Sequence, residues 1–291
     1  MKDIKGFKNL FNVKIPCDEH FDYYIDVLSR THEFKDINKY IELYENMELI
    51  CGGNSKDYTH RKSNLIIEYL KSTSAYKNII SDNTLPLSYN KNQFKGDIGQ
   101  KYLSIDLSQA NWQVFKYFDT SDELPGTYNE LLDKFDCLDI LKYSKNFRQF
   151  IFGNLNPKKQ QSIQAFFMNS LVKSMSLDNI AFNLVDFKND EIIITGYDES
   201  IYDYINNRKL KFKMTEHMLD SVNTRQFYEL GTDNILYKKL YNTNGNRFYI
   251  DIKKYVLNEP LDMRDLYFRD NGELAIWYID KETLKSLLNE Q

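Results

Sequence analysis

Cysteine is scarce: Cys17, Cys51 and Cys137 are the three in 291 residues, and no C-x-x-C pair is present. An odd, scattered set argues against a disulfide framework and a structural zinc site, and it fits a reducing compartment. The four histidines, His20, His32, His60 and His217, form no H-x-x-x-H pair, which speaks against zinc-hydrolase chemistry. There is no G-x-S-x-G, and CGGNS at 51–55 lacks the spacing of a phosphate loop, so it reads as a turn between helices. No apolar run approaches the ~18 residues of a membrane span, and MKDIKGFKNLF lacks the apolar centre of a signal peptide. The expectation is a soluble cytoplasmic protein without a membrane partner. An excess of positive charge is also missing. With a formal net charge of -4, a polyanion partner would need a local basic patch or a bound divalent cation.

What is present is aromatic. Tyr (22) and Phe (19) carry most of the 15% aromatic content, and 42% of the chain is hydrophobic, enough for a substantial core. The many Asn, Lys and Ile suggest an AT-rich genome, such as that of a phage, a virus (the location then being the host cytoplasm) or a low-GC bacterium. Residues 1–95 read as a helical N-terminal region: His20–Leu28, Ile37–Leu49 and Leu65–Leu70 place apolar residues at helical spacing. The turn-rich stretch 81–99 marks the boundary to a second region, 96–291.

Within that second region, Leu103, Ile105 and Leu107 alternate with Tyr102, Ser104, Asp106 and Ser108, the period of a half-buried strand. Trp112, Phe115 and Phe118 then follow helical spacing. Asp106 thus stands where a strand gives way to a helix. A helix over Tyr128–Leu141, another over Lys145–Leu155 and a long one from Pro157 to Met175 come next, with Pro at its first turn. Strands over Ile180–Phe187 and Ile192–Thr195 flank Lys188-Asn189-Asp190-Glu191, which places Asp190 at a hairpin tip. A short strand covers Leu210–Met214. Thr215-Glu216-His217 reads as a strand-to-helix edge with Thr215 as N-cap. Two hairpins turn at Asn244-Gly245 and Asp270-Asn271-Gly272, and Lys281–Asn289 is a terminal helix. The fold class is α+β: a helical N-terminal region, then a palm-like antiparallel sheet with packed helices and C-terminal hairpins.

If the Asp106 strand lies beside the Asp190 hairpin, two hard-oxygen ligands come together. That suits magnesium, which keeps several waters and takes one or two carboxylates plus substrate phosphates. A pair of such ions supports phosphoryl transfer. Each carboxylate motif taken alone is also an ordinary solvated loop.

Several stretches resemble a known family in the same order. Asp106-Leu107-Ser108-Gln109, with Val114 after it, resembles motif A of family A DNA polymerases, the DNA polymerase I type. Arg148 followed by Phe152-Gly153 is similar to the finger helix of that family. Pro157, Gln160-Gln161, Ala165 and Met175 resemble the helix preceding motif C, and Asn189-Asp190-Glu191-Ile192-Ile193 resembles motif C itself. The resemblance covers roughly residues 100–195. It implies that Asp106 and Asp190 hold two Mg2+ or Mn2+ ions, with Glu191 beside them in the catalytic group. It also implies that Arg148 meets the incoming triphosphate, that Phe152 and Gly153 line the nucleotide pocket, and that Gln160 or Gln161 touches primer or template. Asn111 stands where the family has the glutamate that excludes a ribose 2′-hydroxyl, implying a pocket open to ribonucleotides. Asn156, Ser144 and Asn189 replace a tyrosine, an arginine and a histidine. The spacing between the two aspartates is compressed relative to the family, and the D-L-S-x-A pattern with Gln113-Val114 also resembles the first motif of reverse transcriptases.

Basic residues cluster at Lys142, Lys145, Arg148, Lys158 and Lys159. They also interleave with aromatics along the later hairpin, Lys238, Lys239, Arg247, Lys253 and Lys254. Such a surface could bind single strands through phosphates and stacking. The same hairpin also fits a core face and a solvated face. The leading expectation is a compact palm-type nucleotidyltransferase acting on nucleic acid and nucleoside triphosphates. The alternatives are a non-catalytic nucleic-acid- or protein-binding phage or viral accessory protein, and a metal-dependent nuclease using the same aspartates.

Overall fold

The computed structural model describes residues 3–30, 34–82, 97–221, 226–229, 237–239, 260, 266–270, 273–276 and 279–289. The N-terminal part holds α1 (Ile4–Phe11), β1 (Val13–Lys14), a 3-10 turn (Asp18–His20), α2 (Phe21–Ser29), α3 (Ile37–Ile50), α4 (Ser55–Ser72) and α5 (Ser74–Ser81). Next come β2 (Lys101–Leu107), α6 (Ala110–Phe118), α7 (Tyr128–Lys134), α8 (Ile140–Tyr143), α9 (Lys145–Gly153) and α10 (Pro157–Leu177). The remainder is β3 (Asn183–Phe187), β4 (Glu191–Thr195), α11 (Ser200–Asn206), β5 (Phe212–Ser221), β6 (Gln226–Glu229), β7 (Tyr237–Lys239), β8 (Tyr267–Asp270), β9 (Glu273–Ile276) and α12 (Lys281–Asn289). The fold is α+β.

Among the described residues the main sheet runs β3-β4-β2-β5-β6-β7, with every neighbouring pair antiparallel. A smaller sheet, β1-β9-β8, ties the N-terminal segment to the C-terminal strands through a parallel β1–β9 pairing. Strand β2 is interior and its side chains alternate between faces. Leu103, Ile105 and Leu107 are buried in the main core with Ile192, Ile194, Val114 and Phe115. Tyr102 turns the other way, into a small cluster with Val185, Ile193 and Leu219. The main core continues into the N-terminal helices, so Phe7, Tyr44 and Ile66 belong to it as well.

Caps account for where the helices begin. Thr127 Oγ1 accepts from Glu130 N at 3.1 Å while Glu130 Oε2 accepts from Gly126 N at 2.9 Å, a reciprocal arrangement close to a capping box. Asn156 takes a left-handed φ of 58°, tolerable for Asn, and caps the Pro157 helix. Ser144, buried at the start of α9, accepts from Phe147 N at 2.9 Å and donates to Leu10 O at 2.5 Å. It therefore caps α9 and ties that helix to α1.

Two expectations are corrected here. The helix expected over Tyr128–Leu141 stops at Lys134, because Asp136 adopts a φ of 48° and Cys137 N turns back to Leu132 O. Thr215-Glu216-His217 is no helix edge: all three pair with β2, opposite Ser104, Leu103 and Tyr102, in the middle of β5. Sheet pairing outweighs the local capping signal there. The Asn244-Gly245 turn and Asn271-Gly272 lie outside the described residues, although Asp270 pairs with Glu273 across β8 and β9. Ile105, fully buried in the interior strand, gives a direct check of this layering. Ile105→Ala should lower unfolding free energy by about 2–5 kcal/mol in urea titration, and a near-neutral result would contradict the buried placement.

Candidate carboxylate site at the end of the central strand

Asp106 pairs with Glu191 across β2 and β4, and with Lys213 across β2 and β5. The ladder then extends one bond further: Leu107 N donates to Asp190 O at 2.8 Å. The turn bearing Asp190 is closed by Lys188 N donating to Glu191 O at 2.7 Å. The chain therefore brings Asp106, Asp190 and Glu191 to one end of the sheet, two of them on facing strands and Asp190 at the hairpin tip.

Asp190 is half-buried. Burial, and then the neighbouring Glu191 charge, push its carboxyl above the ordinary carboxylate range, while Lys188 and Lys145 pull it back. Glu191 is buried with both oxygens engaged: Ser104 Oγ donates to Oε1 at 2.5 Å and Lys188 Nζ to Oε2 at 2.7 Å. That arrangement is an ion pair at the residue expected beside the two aspartates in the catalytic group.

Helix α9 supplies the opposing charge. Burial lowers the pKa of Arg148, and the charge of Asp106 works against that shift. The guanidinium carbon lies 5.9 Å from the centre of the Tyr128 ring, within cation–π range. An arginine stays protonated in such surroundings. Lys145, one turn earlier, acts on Asp190. The sequence alone places Lys145 only in a general basic cluster; its three-residue spacing from Arg148 is the signal that singles it out. Gln113, which the sequence offers only as part of a reverse-transcriptase-like pattern, holds a corner of the backbone. Its Nε2 donates to Ser108 O and Lys211 O, each at 2.6 Å, and its Oε1 accepts from Lys211 N at 2.7 Å. It thereby fixes the strand-to-helix corner just after Asp106.

Other expected site residues are placed differently. Phe152 is 1% exposed, its ring 5.5 Å from Phe115 and 6.0 Å from Tyr128. It is a core side chain where a pocket wall was expected. Gly153 is exposed, and a Cβ there would meet nothing within 4 Å, so no close approach requires glycine. Gln160 is buried and donates to Phe152 O at 2.9 Å and Leu155 O at 2.7 Å, satisfying carbonyls around the end of α9. Gln161 is exposed and is the one of the pair that a ligand can reach. Asn111 Oδ1 accepts from Gln164 Nε2 at 2.6 Å, linking α6 to α10. The side chains of the basic-aromatic hairpin lie outside the described residues.

Among the described residues no group of three or more His, Cys, Asp and Glu side chains is arranged as a metal site. Asp106 and Asp190 are a two-carboxylate donor set, which fits an ion that retains water and shares its coordination with phosphate oxygens. A cavity of about 970 Å³ lies at the opposite end of β2, lined by Lys101, Tyr197, Asp198, Tyr202 and Glu216 among others. Arg148, Asp106 and Asp190 have no part in it. No described helix is long and apolar enough to cross a membrane. No protein-family model, curated protein or solved structure matches this chain.

The contrast between the paired glutamines is open to measurement. Gln160→Ala should cost about 1–3 kcal/mol of stability by uncovering buried carbonyls, while Gln161→Ala should stay within about 0.5 kcal/mol. Equal losses in denaturant titration would contradict the assignment. A pH dependence accompanies it. Because the folded-state pKa of Asp190 is raised, its ionised form opposes folding above that pKa. This opposition disappears below the unfolded value of about 3.9. Without divalent cations, Asp190→Asn should therefore melt at a higher temperature than the wild type at pH 7, with the gain shrinking toward about pH 3.5.

Proposed function

We propose that this chain is a palm-type nucleotidyltransferase that joins nucleotides to a nucleic-acid end with the help of divalent cations. The observation that carries the reading is the juxtaposition of Asp106 and Asp190 on adjacent strand ends, with Arg148 and Lys145 of α9 acting on them. Carboxylates beside cations suit a triphosphate and its metal ions better than they suit either alone.

In this reading Asp106 and Asp190 would hold Mg2+ or Mn2+. Such an ion supplies charge neutralisation at the reacting phosphate and lowers the pKa of an attacking hydroxyl. The chain's own residues supply orientation. Arg148, braced by the Tyr128 ring, offers a planar donor set for phosphate oxygens. Lys145 adds a mobile positive charge at the start of α9. The hydroxyl oxygen forms a bond to the α-phosphorus, pyrophosphate leaves with the broken bond's electron pair, and the hydroxyl proton passes to solvent or to a carboxylate. Gln113 and the Leu107–Asp190 bond keep the two aspartates at fixed positions while this happens.

The test is incorporation of labelled nucleotides with Mg2+ or Mn2+, with and without a primer-template. Asp106→Ala and Asp190→Ala should each reduce incorporation by at least about 10³-fold, given that removing one preorganised charge-stabilising group costs about 10²–10³ and each aspartate would also hold metal. Arg148→Ala should chiefly raise the KM for the nucleotide. Full incorporation by both aspartate variants would sink the assignment. Strand cleavage without incorporation, lost in the same variants, would move the assignment to a metal-dependent nuclease. Nucleic-acid binding alone, unchanged in the variants, would favour an accessory binding protein.

A further inference from the structure

We propose that the Lys188–Glu191 ion pair is a latch that withholds a lysine from the carboxylate site, which makes Glu191 a positioning residue. The inference rests on the reading of Asp106 and Asp190 as the cation-holding pair.

Lys188 and Glu191 stand at the two ends of the turn whose tip carries Asp190, and their main chains are bonded at 2.7 Å. Neither can leave the neighbourhood of Asp190 without opening the turn. The Lys188 side chain is 28% exposed and that of Glu191 7%, so the pair is partly shielded from water and screening by salt is limited. Ser104 holds one Glu191 oxygen at 2.5 Å, which fixes the carboxylate rotamer and presents the other oxygen to Lys188 Nζ at 2.7 Å. Glu191 lies opposite Asp106 in the strand register, so it shares a sheet face with that carboxylate.

The lysine stem is long and flexible, and its ammonium is a compact point charge. Lys188 already acts on Asp190 electrostatically. Without the Glu191 charge, the carboxylates beside that ammonium would be buried Asp186, two residues back along the chain, and Asp190 at the tip of the same turn, on which it already acts. An ammonium at Asp190 would occupy the place a divalent cation needs. A buried carboxylate one residue from Asp190 adds unfavourable charge to the site, and the latch gives that carboxylate a purpose: it competes for the lysine.

The experiment measures Mn2+ binding by electron paramagnetic resonance and calorimetry on the full chain, without substrate. Glu191→Gln keeps the side-chain shape and the Ser104 contact but removes the charge. It should weaken Mn2+ binding about 10- to 100-fold, the usual cost of disturbing a group that supports a metal ligand. The double variant Glu191→Gln with Lys188→Met removes both charges of the pair. It should return the affinity to within about 3-fold of wild type, because substitutions at two partners in direct contact are not additive. Wild-type affinity in Glu191→Gln overturns the latch. Failure of the double variant to recover also overturns it, and would make Glu191 a direct ligand or a purely structural group. If Glu191→Gln alone does not fold, the double variant decides between these outcomes. The underlying reading fails separately, and the latch with it, if the wild-type chain binds no Mn2+ or if Asp106→Asn binds it unchanged.

Discussion

The hydrogen bond from Leu107 N to Asp190 O, 2.8 Å long, continues the β2–β4 ladder past Asp106 and joins two segments distant in sequence. Its position depends on register. A one-residue slip would turn Ser104 and Asp106 into the layer occupied by Leu103, Ile105 and Leu107. That layer is packed against Val114, Phe115, Ile192 and Ile194, where an unpaired carboxylate would be costly. Hydrophobic burial on one face of β2 thus fixes Asp106 and, across from it, Glu191 on the other. Pairing with β5 on the far edge of β2 removes the remaining freedom.

The second constraint is charge. Asp106, Asp190 and Glu191 collect at one end of a sheet, and separation alone cannot relieve their repulsion. Lys188 neutralises Glu191 locally and also acts on Asp190, while α9 adds Arg148 toward Asp106 and Lys145 toward Asp190. That gives the N-terminal helices a role in the site. Ser144 anchors the start of α9 to Leu10 O of α1, and Gln160 holds the carbonyls where α9 ends. The helical region is therefore part of what places the cations, through a core that it shares with the sheet.

Local periodicity makes much of this legible in the sequence. The alternation over 102–108 marks β2, the helical spacing of Trp112 and Phe115 marks α6, and Pro157 marks the first turn of α10. Two places mislead for the same reason. At Thr215-Glu216-His217 and at Asp136 a short-range signal has to be weighed without knowing the tertiary partner. Pairing with β2 decides the first, and a left-handed residue ends the helix at the second. The carboxylate end is legible as two strand termini, but no sequence pattern shows that they are neighbours. Glu191, Phe152 and Gln160 show the limit most clearly: their residue types match a functional motif, and each is engaged in an ion pair, a ring cluster or carbonyl capping.

Those engagements narrow where a ligand can approach. Lys145, Arg148, Gln149 and Phe152 recur at the three- and four-residue spacing of one helix face. On that face Lys145 and Gln149 are exposed, Arg148 is half-buried and Phe152 lies in the core. On the proposed reading, an anion at the aspartates would face the first turn and a half of α9. There the helix dipole is positive and two cationic side chains lie close together. The C-terminal turn, closed by Phe152 and Gln160, contributes rigidity. Helix α9 thus carries Lys145 and Arg148, which act on the carboxylates, on the same short element whose Phe147, Ile151 and Phe152 anchor it in the core.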